Sequence, residues 1–189
     1  MNDLKRKINI AKDLIARYRP ANDVLWADSL LRLDETSFSM KRSWEPFKKF
    51  SYTPSRRHIR LSRNFMEWND YDRSSLLLHE SMHLRQFDLQ AKPKWLNMAF
   101  SYSQRNGRYR KELGALRENV RWWMQVGNIG VYYLEGVLTP RLNAETWIHR
   151  VAEFFGPNYK MGRKFSRKAM RETLRQYVID AYNEGYGKQ

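Results

Sequence analysis

Apolar residues near the amino terminus recur with the period of one helix face. Between positions 3 and 18 they are Leu4, Ile8, Ala11, Leu14, Ile15 and Tyr18. A second helix is predicted over 22–32, beginning at Asn22 or Asp23. Positions 36–56 contain two prolines and several serines, which is typical of a loop with short strands.

The segment 57–62 alternates polar and apolar residues, in the order Arg57-His58-Ile59-Arg60-Leu61-Ser62. A period of two predicts a half-buried strand. We expect this strand either to form the rim of a cleft, where an extended peptide could pair with it, or to be an ordinary hairpin edge. The helix that follows it has Asp70 or Asp72 as its candidate cap.

Helical patterns dominate the rest of the chain. A helix is predicted over about 76–90, and another near 94–104 is expected to break at Asn106-Gly107. The remaining predicted helices span about 108–125, 129–138, 143–155 and 166–183, with Gly156-Pro157 separating the last two. Together these elements indicate an α+β, mainly α fold with a small β-sheet or hairpin, in a single domain, 1–189.

The pentapeptide His79-Glu80-Ser81-Met82-His83 is the segment with the clearest chemistry. On a helix, residues four apart lie about 40° apart around the axis, so both imidazoles point the same way. Two neutral histidines so placed supply two of the three protein ligands of a catalytic zinc. Glu80 lies roughly 100° away, where it can act as general base on a water, the division of labour in an HExxH zinc hydrolase.

The helix around this motif is predicted to be mostly buried. Only a narrow strip of its surface is polar, formed by Ser81, Arg85 and Asp88. Buried imidazoles and a buried carboxylate need partners, because leaving them unpaired is costly. A metal ion would provide those partners, and a surface helix with a chance pair of histidines is the alternative.

A third ligand has to come from another segment. The metzincin pattern requires Gly at 86 and His at 89, where this chain has Gln86 and Leu89. The remaining pattern is a glutamate on a following helix, for which Glu112 and Glu118 are the candidates.

Helical spacing separates these two glutamates. Glu112 shares its stripe with Ala115, Leu116, Asn119 and Trp123. Glu118 instead falls with the charged residues Lys111 and Arg121. Glu112 is therefore the predicted ligand, and an exposed glutamate in a charge-rich helix is the alternative.

The run Leu77-Leu78-His79-Glu80-Ser81-Met82-His83-Leu84, followed about thirty positions later by Glu112-Leu113-Gly114-Ala115, resembles the gluzincin branch of the zincin metallopeptidases. More narrowly, it resembles the short HExxH proteins of uncertain role in bacterial and phage genomes. The match covers about 55–125, with helical flanks at 1–54 and 126–189. The resemblance implies a zincin-like domain in which His79, His83 and Glu112 bind Zn²⁺ and Glu80 activates water. The chain departs from the extended pattern at Leu76, Arg85 and Leu116.

A zinc hydrolase also needs a group that stabilises the oxyanion formed on the attacked carbonyl. The candidates are His149, Tyr109, Tyr132 and Tyr133. For His149, which lies on a predicted amphipathic helix, a packed or surface role is the alternative.

Composition adds two constraints. The 189 residues include no cysteine, so disulfides and thiolate zinc sites are excluded and any metal must bind histidine and carboxylate. The formal net charge is +15, and the basic residues are spread along the chain, at 17–19, 56–57, 60, 63, 105–111 and 160–175. Such a surface should attract nucleic acid or another polyanion, and a basic surface that serves only solubility is the alternative.

These features predict a zinc-dependent metallopeptidase acting on a protein or peptide substrate. The alternative is a non-catalytic, zinc-stapled basic protein that binds nucleic acid or forms part of a phage particle. The amino terminus lacks the apolar stretch of a secretory signal, and no run approaches a membrane span. We therefore expect a cytoplasmic protein or, alternatively, a virion-associated one.

Overall fold

Helices form most of the protein in the computed structural model, which describes residues 3–41, 51–55, 57–88, 105–158 and 166–188. Backbone contacts divide the chain into two compact units, 1–98 and 99–189. Each unit combines helices with one small sheet, which confirms the predicted α+β, mainly α class. The single domain over 1–189 stays a prediction, and the helix predicted near 94–104 lies outside the described residues.

The first unit begins with two helices, α1 (Asp3–Tyr18) and α2 (Val24–Asp34), close to the predicted ranges. The face of α1 that the apolar period predicts is buried at Ile8, Ala11 and Ile15. The carboxylate of Asp23 accepts hydrogen bonds from the backbone N–H groups of Leu25 and Trp26, at 2.9 and 3.0 Å. Asp23 therefore provides the cap of α2.

A three-stranded sheet follows, with β1 (Ser37–Met40), β2 (Tyr52–Ser55) and β3 (His58–Leu61) in the order β1-β3-β2. Ile59 and Leu61 of β3 are fully buried, as the alternating pattern predicts. β3 pairs with β1 in parallel and with β2 in antiparallel fashion. Because both edges of β3 are already paired, the strand is neither a cleft rim that a substrate could pair with nor a hairpin edge, and both expectations for 57–62 are wrong.

The helix that carries the histidine motif, α3, runs from Asp70 to Asp88 after a 3₁₀ turn at Arg63–Met66. Its cap is Asn69 rather than Asp70 or Asp72. The Asn69 side chain accepts from the Asp72 N–H at 2.9 Å and donates to the Asp72 carboxylate at 2.6 Å. Burial raises the pKa of the Asp72 carboxyl, and the Asn69 hydrogen bond opposes that shift.

Most of α3 is buried, as predicted. Leu77 and Leu78 are fully covered, and the Ser74 hydroxyl donates to the Ala11 carbonyl of α1 at 3.0 Å. Ser81, predicted to lie on a polar strip, is buried instead and donates to the Leu78 carbonyl at 2.7 Å. A serine can be buried on a helix in this way because its hydroxyl finds a partner on the preceding turn.

The second unit contains α4 (Arg105–Gln125), β4 (Val131–Leu134), β5 (Val137–Pro140), α5 (Leu142–Asn158) and α6 (Arg167–Asn183). The break predicted at Asn106-Gly107 is wrong, because α4 includes both residues. One glycine costs a helix only about 1 kcal/mol, which packing can outweigh. The end predicted at Gly156-Pro157 is also wrong, since α5 continues to Asn158.

The short helix predicted over 129–138 is wrong, because this segment is the β4–β5 hairpin. Its turn residues, Glu135 and Gly136, have φ of 50° and 83°. Two successive positive φ values characterise a turn whose twist suits a two-residue hairpin. The hairpin could have been predicted from the β-forming residues on either side of Glu135-Gly136.

The helices α5 and α6 are joined by ion pairs as well as by apolar packing. Arg167 and Arg171 bind Glu153 at 3.1 Å, and Arg175 binds Glu145 at 2.6 Å. Part of the basic stretch at 160–175 thus neutralises acidic residues of the same unit. None of the described helices has both the length and the apolar character needed to cross a membrane.

Candidate metal centre

The two motif histidines lie together on α3. Their ring centroids are 5.0 Å apart and the rings meet edge to face, at 79°. His83 is buried and His79 is half-buried. The four-residue spacing on a regular helix produces this arrangement, as predicted.

Glu112 lies on the inward face of α4. It is buried together with Ala115, Leu116 and Asn119, which confirms this part of the predicted stripe, whereas Trp123 is only half-buried. Its alternative as an exposed glutamate is therefore wrong, since only 4% of Glu112 is exposed.

Glu118, the other candidate ligand, is also buried, which the prediction of a charged face did not anticipate. Arg121 explains why this carboxylate can be buried, because it donates to Glu118 at 2.6 Å and to Glu184 at 2.7 Å. Burial alone would lower the pKa of the Arg121 guanidinium, but Glu118 and Glu184 outweigh this effect and raise it. Glu118 thus forms a buried ion pair with Arg121.

The described residues include one group suited to a metal ion, and it consists of His79, His83 and Glu112. One possible ligand atom from each residue lies within 4.8 Å of the other two. Ligands bound at about 2.0–2.1 Å in a tetrahedral site are roughly 3.3 Å apart, which falls within the 4.8 Å limit of this group. The donor set and its spacing fit a divalent metal.

A neighbouring amide orients His83. The Nδ1 atom of its ring lies 3.0 Å from Oε1 of Gln86, one turn further along α3. Because this oxygen can only accept, Nδ1 carries the proton, and in the neutral imidazole Nε2 then has the lone pair. Histidine ligands of metals commonly donate their second ring nitrogen in this way, which holds the ring and favours the ligating tautomer.

Glu80 is held by a side chain from the sheet. Thr53 of β2 donates its hydroxyl to Oε2 of Glu80 at 2.8 Å, and both residues are buried. The donated proton uses one acceptor site of the carboxylate and leaves others available. Thr53 therefore restricts the rotation of Glu80 without occupying all of its capacity to accept a proton.

The predicted oxyanion stabilisers occupy different environments within the second unit. Tyr109 is buried in α4, and burial raises the pKa of its hydroxyl, opposed by a hydrogen bond with Thr173 of α6. This bond ties Tyr109 to helix packing. Tyr132 and Tyr133 are 42% and 65% exposed on the β4–β5 hairpin, and His149 is exposed on α5.

Two residues of the site were missed by sequence reasoning, Thr53 and Gln86. Gln86 lies three positions after His83, so helical spacing could have identified it. Thr53 is 27 positions from Glu80 and carried no such signal.

The chain matches no family model, and neither curated proteins nor solved structures contain a significant match. The resemblance to gluzincins therefore depends on the motif residues themselves.

Proposed function

We propose that this protein is a zinc-dependent metallopeptidase that hydrolyses a protein or peptide substrate. The observation that carries the proposal is the grouping of His79, His83 and Glu112, with ligand atoms within 4.8 Å of one another. The residue after the first histidine, Glu80, is a buried carboxylate with an ordered partner. Two imidazoles and a carboxylate also suit iron, but an adjacent glutamate base is typical of zinc hydrolysis.

The side chains divide the work of hydrolysis. When bound, zinc would polarise the substrate carbonyl and lower the pKa of water. Glu80 accepts a proton from the attacking water and returns it to the leaving nitrogen. Thr53 keeps the Glu80 carboxylate in one orientation, and Gln86 favours the His83 tautomer whose Nε2 can bind a metal.

Metal analysis combined with a cleavage assay tests this proposal. Purified protein should contain about one zinc per chain and should cleave unfolded casein. A chelator should abolish cleavage, and stoichiometric Zn²⁺ should restore it. A metal-loaded protein that cleaves neither casein nor a diverse peptide library would contradict the enzymatic proposal.

Thr53→Val should reduce kcat by roughly 10–100-fold, because it removes a hydrogen bond to a charged group worth about 1.5–3 kcal/mol. KM and zinc content should stay unchanged, because Thr53 is buried and its hydroxyl is bonded to Glu80, which is not a predicted ligand. Thr53→Ser, which keeps the hydroxyl, should restore kcat.

The matched control is Thr139→Val on the β4–β5 hairpin, which should behave as the parent. An unchanged kcat in Thr53→Val would remove Thr53 from the site.

A basic, non-catalytic protein that binds nucleic acid remains the alternative. Three arginines of the second unit are already paired with Glu145 and Glu153, which lowers the free charge of that surface. Binding to random DNA measured over 50–200 mM salt separates the two functions, because phosphate neutralisation produces a steep loss of affinity with salt. Strong, salt-dependent binding without proteolysis would favour the alternative.

A further inference from the structure

The outer face of the three-stranded sheet carries a polar cluster that the metal centre does not use. His58 of β3 lies between two serines of β1. Its Nδ1 is 2.7 Å from Oγ of Ser37, and its Nε2 is 2.8 Å from Oγ of Ser39. The parallel register produces this arrangement, since Ser37 is the partner of His58 and Ser39 follows on the same face.

The direction of each hydrogen bond can be assigned. Ser37 donates its hydroxyl proton to the Arg57 carbonyl, 2.8 Å away. Its Oγ can then only accept from the ring, so Nδ1 of His58 carries the proton. In the neutral imidazole, Nε2 is consequently an acceptor and takes the hydroxyl proton of Ser39. With the protons placed in this way, the contacts of Ser37 with Arg57, of His58 with Ser37 and of Ser39 with His58 are all hydrogen bonds.

We propose that Ser39 is an activated nucleophile for acyl transfer from small esters, with His58 as its base. A hydroxyl that donates to an imidazole whose other nitrogen is held by a third group is the arrangement that activates a serine. Ser37 fills the third role as a positioning residue. Arg60, the register partner of Ser39, lies on the same face as His58 and donates to the Tyr52 hydroxyl of β2 at 3.4 Å.

Acyl transfer from an ester to Ser39 needs no group beyond Ser39 and His58. Oγ of Ser39 forms a bond to the ester carbonyl carbon while Nε2 of His58 takes the hydroxyl proton. The bond from that carbon to the leaving oxygen breaks, and the imidazolium returns the proton to the departing alkoxide. The products are an acylated Ser39 and the free alcohol, with His58 neutral again.

This centre is separate from the metal site. Ile59 and Leu61, which alternate with His58 and Arg60 along β3, are fully buried, whereas Ser37 is exposed and Ser39 and His58 are half-buried. Small electrophiles can therefore reach the cluster from solvent. The inference does not require the peptidase proposal, and its test requires no metal.

A single thiol provides the sharpest test, because the chain contains no cysteine. In Ser39→Cys, an adjacent imidazole should convert the thiol largely to thiolate at pH 7, where a free cysteine is only a few per cent ionised. Its alkylation by iodoacetamide should be about tenfold faster than that of Ser55→Cys. Ser55 is the matched control, since it is the β2 partner of His58 and is more exposed than Ser39.

If the proposal is correct, the fast alkylation of Ser39→Cys depends on His58. Adding His58→Gln to Ser39→Cys should abolish the rate difference, and adding Ser37→Ala should reduce it, with circular dichroism confirming that each variant is folded. In the native chain, a fluorophosphonate should label Ser39, with fluoride as the leaving group, and should do so equally in the Glu80→Gln background. Equal alkylation rates at positions 39 and 55, or no adduct on Ser39, would overturn the proposal.

Discussion

Glu80→Gln should reduce peptide hydrolysis by roughly 10²–10⁴-fold while leaving the metal in place. The amide has nearly the shape of the carboxylate, and its oxygen can still accept the Thr53 hydroxyl. It cannot take a proton from water, so proton transfer loses its base. The measurement is kcat on a fluorogenic peptide, accompanied by zinc content of the same preparation.

The matched control for this variant is Glu172→Gln, at an exposed glutamate on α6. It makes the same chemical change at an exposed position, and it should retain full activity. Parent-like hydrolysis by Glu80→Gln would remove Glu80 from its role as base. Loss of zinc in that variant would instead indicate that Glu80 holds the metal directly.

Loss of a metal ligand is the second large effect. Removing a group that only orients a ligand commonly weakens metal binding 10–100-fold, so removing a ligand itself should weaken it by at least about 100-fold. Glu112→Gln and His83→Ala should both show this change in a competition titration with a chromophoric chelator. Glu112→Gln is the more informative of the two, because it preserves side-chain volume at a buried position.

The same variants should lose the stabilisation that metal confers on the folded state. A metal present at 100 times its dissociation constant stabilises the folded state by about 2.7 kcal/mol. Adding zinc should therefore raise the melting temperature of the parent and of His149→Ala, whose imidazole is exposed on α5. It should not raise that of His83→Ala. Equal zinc-induced stabilisation of Glu112→Gln and the parent would exclude Glu112 as a ligand.

The sequence predictions succeeded where the interactions involved lie within one segment of the chain. The helices α1 and α3 were predictable because their apolar period and the four-residue spacing of His79 and His83 act within one segment. The inward position of Glu112 was predictable for the same reason, since a helix sets which residues share its face. The hairpin at 131–140 was missed because its short apolar runs fit both periods, and the Glu-Gly turn decides between them.

By itself, the sequence determined which metal-binding side chains are available: two imidazoles on one side of a helix, a carboxylate beside them and no thiolate to compete. The tertiary structure alone decided which distant groups complete the sites. Thr53 reaches Glu80, Arg121 takes Glu118, and His58 lies between two serines only because separate strands or helices pack together. Helical spacing is a local property of the backbone, whereas these pairings depend on strand register and helix packing, which no single segment encodes.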